Sequence, residues 1–176
     1  MTMQARSVSR SKKQLLAEDD AWQPAHVAVA LGRRATWTDP LRAVNLFGRL
    51  IIQIRSHGPQ TLARWLHYAV RGAATSANTS DAAADITALL LTIAIQAGRT
   101  PAHDAVHLMT AAKAGLADAA DPDQPPGPDP LPRCACLLRD DFAQELSAAA
   151  ATRLALSLFA GLADPDRYAV LEALLA

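Results

Sequence analysis

Aromatic side chains make up only 5% of the 176 residues, and the chain holds just eight glycines and two cysteines. Few aromatics beside abundant alanine argue against a thick sheet core and favour closely packed helices. So few glycines leave no glycine-rich phosphate loop, and no G-x-S-x-G nucleophile elbow occurs. Cys134 and Cys136 stand at a C-x-C spacing that would strain an intramolecular disulfide, and no second Cys or His pair follows at zinc-site spacing. Reduced thiols, no bound metal and no cofactor are the expectation, and no catalytic residue is assigned. The most apolar run, Ile86 to Ile95, covers ten residues interrupted by Thr87 and Thr92. Crossing a bilayer takes ~20 residues, so this run reads as a buried helix and no membrane partner is expected. No basic leader followed by an apolar h-region is present, which sets a cytoplasmic expectation.

No segment alternates apolar and polar residues as a half-buried strand would. Helix punctuation recurs instead. Residues 1–14, "MTMQARSVSRSKKQ", offer almost nothing apolar to bury and read as a disordered basic arm. Short helices are expected over "QLLAEDDAW", residues 14–22, and over Ala25–Leu31. Pro40 behind Thr38 and Asp39 opens a helix to about Arg55, and "SHGP" breaks it. Pro59 begins a second helix ending near Gly72, the two forming an αα-hairpin. Ser80 or Asp81 caps a third helix, Asp81 to Ala97, stopped by Gly98, and Thr100-Pro101 opens a fourth that closes at Gly115. Residues 117–133 hold six of the eleven prolines and read as an extended linker. Beyond it a helix is expected from Asp140 to Ala160, its first turns lined by Asp140, Asp141 and Glu145, and a last helix opens at Pro165. The fold class is all-α: a compact bundle of five to seven helices spanning 15–116, then the 117–133 linker, then a C-terminal helical pair within 134–176 that packs on the bundle.

A formal net charge of zero conceals an asymmetry. Residues 1–75 carry 11 Lys/Arg against 4 Asp/Glu, and residues 76–176 carry 6 against 13. At ~100° per residue, Arg42, Asn45, Arg49 and Gln53 share one stripe of the first long helix, opposite Val44, Leu46, Phe47, Leu50, Ile51 and Ile54. On the next helix Gln60, Arg64, His67 and Arg71 align opposite Leu62, Trp65, Leu66, Ala69 and Val70. With Arg33 and Arg34 nearby, the two stripes suit a polyanion, because guanidinium forks bond phosphate and stay charged at any working pH. The expected nucleic-acid-binding set is Arg33, Arg34, Arg42, Arg49, Arg64, His67 and Arg71.

The function expected first is a non-enzymatic subunit that binds RNA or DNA backbone beside other protein subunits. In architecture alone, with no motif in common, it would be similar to the small helical subunits of CRISPR-type ribonucleoprotein complexes. A second expectation is a protein-interaction or self-assembly module, in which the basic half of one copy docks on the acidic half of another to give a homo-oligomer. The third rests on "HDAVH", where His103 and His107 stand one turn apart as in H-E-x-x-H zinc helices. Aspartate replaces the glutamate there, and a third ligand would have to come from Cys134, Cys136, His57 or Asp118. Trp22 and Trp37, beside loops, are the tryptophans available to stack on bases, whereas Trp65 belongs to an apolar face.

Overall fold

The computed structural model describes residues 40–176. The basic arm, the two short helices expected within 14–31, Arg33, Arg34, Trp22 and Trp37 lie outside those residues. The described part is an all-α bundle of seven α-helices without a strand. These are α1 (Pro40–Ile54), α2 (Pro59–Ser76), α3 (Ser80–Gly98), α4 (Ala102–Ala119), α5 (Pro130–Phe142), α6 (Ala148–Leu158) and α7 (Asp164–Leu175).

Helix α3 is the axis of the bundle. It touches α1, α2, α4 and α5, and Leu90, Leu91, Ala88 and Ala94 are fully buried in it. Its length and apolarity alone would suit a bilayer crossing, yet here its neighbours are other helices. Two buried threonines are accommodated because their hydroxyls donate backward to helix carbonyls, Thr87 to Ala83 at 2.7 Å and Thr92 to Ala88 at 2.8 Å. Thr79 caps the helix by accepting from Ala82 N at 3.0 Å. At the other end Thr100 N bonds Ile95 O and Arg99 N bonds Gln96 O, a Schellman closure. Its left-handed residue is Arg99 at φ 50°, not Gly98. A Cβ on Gly98 would lie 3.0 Å from Thr100 Oγ1 and in ordinary contact with Leu62 at 3.4 Å.

Helix α1 lays Phe47, Ile51 and Ile54, one face at i, i+4 and i+7, into the core. It passes through a 3-10 turn at Arg55–His57 to Gly58 at φ 96°, and Pro59 starts α2. The expected hairpin is loose: α1 leans chiefly on α3, whereas α2 packs on α3 and, most extensively, on α4. Helix α2 runs past Gly72 to Ser76, carrying the buried pair Ala73 and Ala74. Helix α4 runs past Gly115 to Ala119 for a related reason. Gly115 is the crossing point with α2, and a Cβ there would sit 2.5 Å from His67 O and 3.2 Å from Val70 Cβ. Small residues here let two backbones meet.

The proline-rich connection is shorter than expected, residues 120–129, because Asp129 caps α5 by accepting from Leu131 N at 3.0 Å and Pro130 takes the first turn. Three helices follow it. The helix expected from Asp140 to Ala160 is two, α5 and α6, and Ser147 caps the second by accepting from Ala150 N. Asp140 and Asp141 thereby fall in the last turn of α5, the opposite end of the dipole from the one expected. Arg139 lies 3.0 Å from Asp140, and Gln96 of α3 bonds Asp141. Leu131, Cys134, Ala135 and Leu138 bury α5 in the same core as α3, and Arg139 Nη1 donates to Leu174 O of α7 at 3.1 Å.

The 120–129 segment arches over a cavity of about 640 Å³ bordered by the end of α2, the start of α3 and the end of α4. Gly127 rests on Ser80, where an added Cβ would meet Ser80 Cβ at 2.8 Å.

Candidate nucleic-acid interface

Arg64 and Arg71 stand exposed on α2, seven residues apart, and Arg49 stands exposed on α1. Exposure follows from the apolar faces opposite: Leu62, Trp65, Leu66, Ala69 and Val70 are buried on α2, and Phe47, Ile51 and Ile54 on α1. Trp65 is core, 2% exposed. Asn45 and Gln53 share the exposed side of α1, joined by Ile52. Helix α1 includes position 42, but the Arg42 side chain lies outside the described part.

His67 differs from its stripe-mates. Its ring is half-buried, and Nε2 lies 3.1 Å from Asp118 Oδ2 on α4. Tyr68 stands edge-on to it with ring centroids 5.1 Å apart. Of the α2 stripe, His67 is therefore already engaged by a carboxylate of the same chain.

Arg55 was not in the expected set and has a structural task, because its guanidinium lies 3.4 Å from Ala97 O at the end of α3. A cation there meets the negative end of a helix dipole. Arg99 follows two residues later and is exposed, so the end of α3 carries two cations that helical periodicity did not group. The legible signal was a basic residue directly behind the Gly98 stop.

The ion pairs divide unevenly along the chain. Lys113 reaches Asp166 at 3.1 Å and Asp129 at 3.6 Å, Arg139 reaches Asp140, and Arg167 reaches Asp164. Every Lys or Arg paired with a carboxylate among the described residues thus lies beyond position 112. Arg49, Arg64, Arg71 and Arg99 have no carboxylate within ion-pair distance among the described residues.

The histidine pair has a different setting. His103 is 79% exposed and 3.5 Å from Asp104, and His107 is exposed one turn further on. No three His, Cys, Asp or Glu side chains converge among the described residues. Asp118 is engaged by His67. Cys134 is buried against Thr92, 3.3 Å away. Burial pushes its thiol up from 9.0 to about 12, offset only in part by the Thr92 hydrogen bond, so it stays protonated at neutral pH.

The class defined by these features is an all-α bundle with exposed arginines on α1 and on α2. Comparison of the chain with protein-family models, curated proteins and solved structures returns no match.

Proposed function

We propose that the protein is a non-enzymatic helical subunit that binds the phosphate backbone of RNA or DNA within a larger assembly, with Arg49, Arg64 and Arg71 as its principal contacts. Arg33, Arg34 and Arg42 are further candidates. One observation carries the reading: the exposed Arg49, Arg64 and Arg71 have no carboxylate partner among the described residues, whereas Lys113, Arg139 and Arg167 are paired within the chain. An arginine left without a partner on a rigid helix costs little to dock against a phosphate and displaces a counterion when it does. Arg64 and Arg71 are about 10 Å apart along the axis by helical rise, a span that takes in more than one phosphate of a strand.

The test is fluorescence anisotropy with labelled single-stranded and duplex oligonucleotides over a salt series. Binding should weaken steeply with salt whatever the sequence. Arg64→Ala and Arg71→Ala should each reduce the slope of log K against log salt by about 1. No binding at low salt, or an unchanged slope in both variants, refutes the proposal. Self-assembly is the second reading, favoured by Tyr168 (66% exposed) and Leu175 (71% exposed) on α7 together with Leu154 on α6. It predicts a mass that rises with concentration without nucleic acid.

A further inference from the structure

The cavity beneath the 120–129 arch is independent of the arginine face. Its volume of about 640 Å³ falls within the range of small-molecule sites. The arch meets the bundle at two places and is braced within itself at a third. Asp129 bonds Leu131 N and lies 3.6 Å from Lys113 at one end, and Gly127 rests on Ser80 in the middle. At the other end Asp121 Oδ1 accepts from Asp123 N at 3.0 Å, and Gln124 N bonds Asp121 O at 3.1 Å. Proline fixes φ along the span, so little backbone freedom is left to lose when a guest enters.

The walls set the chemistry of that guest. Leu116, Ala117, Pro125 and Pro126 supply apolar surface, and Asn78 and Gln124 supply amides. Lys113 is the one cation on the lining among the described residues and is held by Asp129 and Asp166. Asp121 leaves the lining with a carboxylate in excess. The helix starts at the cavity are answered by Thr79 and Asp129. At the ends of α2 and α4, Ala77 N closes on Ala74 O and Ala120 N on Ala117 O. With Lys113 already paired, the Asp121 carboxylate disfavours anions.

From this we infer that the cavity is a binding site for a small organic amine, an apolar body bearing a cationic, hydrogen-bond-donating head. The body lies against the alanine and proline walls, and the head meets Asp121. The amide shifts and calorimetry of the full chain are followed with tryptamine and with indole-3-propionate, which has the same ring and spacer but an anionic head. Tryptamine should perturb Asn78, Ser80, Gln124 and Gly127 saturably at millimolar concentration, and the propionate should bind about tenfold more weakly. Ala117→Phe fills the space from an exposed position and should abolish the response, while Asp121→Asn should reduce the preference for the amine several-fold. Gly127→Val, which forces the arch off Ser80, should weaken tryptamine without unfolding the helices. Equal affinity for the two probes, no saturable response, or tryptamine binding unchanged in Ala117→Phe overturns the inference.

Discussion

Replacing Gly115 by alanine adds one methyl group, and the structure determines the sign of its effect. In an unobstructed helix interior the change would stabilise by about 1 kcal/mol, because alanine loses less conformational entropy than glycine. At position 115 the new Cβ would fall 2.5 Å from the His67 carbonyl oxygen and 3.2 Å from Val70 Cβ. Neither is the end of a flexible side chain, so α2 and α4 must separate by several tenths of an ångström along their most extensive contact. Overpacking of this kind costs roughly 3 kcal/mol at the upper end of its range, leaving a net loss of about 2 kcal/mol. For a domain of this size that lowers the melting temperature by on the order of 5 °C. Gly48 supplies the control. It also lies within a helix, but its added Cβ would stand 3.7 Å from Ile93 Cγ2, an ordinary contact. Gly48→Ala should therefore stabilise by roughly 0.5–1 kcal/mol. Urea denaturation followed by circular dichroism at 222 nm measures both. A neutral or stabilising Gly115→Ala, with Gly48→Ala shifted the same way, would refute the close crossing of α2 on α4.

Arg99 holds a left-handed conformation that costs an L-residue about 1 kcal/mol, so Arg99→Gly should raise the urea midpoint by a stability gain of up to that size. The raised thiol of Cys134 makes stability depend on alkaline pH. The unfolded thiol ionises near 9 while the folded one resists to about 12, so its contribution is complete below pH 9 and declines between 9 and 12. The slope is roughly 1.4 kcal/mol per pH unit. Cys134→Ala should flatten that part of a stability–pH curve, and an unchanged slope would contradict the burial. A thiol reagent under native conditions should modify Cys136, which is half-buried, ahead of Cys134, and a reversed order would place Cys134 outside the core.

What the sequence disclosed depended on whether the signal was local. Pro40, Pro59 and Pro165 each fall in the first turn of a helix, because a missing N–H costs nothing there. Apolar periodicity placed Phe47, Trp65 and Val70 inside and Arg49, Arg64 and Arg71 outside, since one helix fixes both faces. Gly72 and Gly115 misled because a glycine that ends a helix and one that admits a neighbouring backbone look alike until the neighbour is known. The prolines misled at 130 and 132 in the opposite sense. With Asp129 as a cap they open α5, and that shift moved Asp140 and Asp141 from the start of a helix to the end of one. His67 shared its stripe with the arginines by spacing, yet its partner Asp118 lies 51 positions away, beyond the reach of any periodicity. The cavity was illegible for the same reason, being bordered by parts of three helices and one loop that meet only in the folded chain.

Helix α5 shares its core with α3, and Lys113 of α4 grips both the arch and α7. Peptide continuity across residues 120–129 is therefore not what keeps the last three helices in place. A protease that severed the arch would leave two pieces still clasped through Leu131, Cys134 and Leu138, running as one particle on a sizing column and parting only in denaturant.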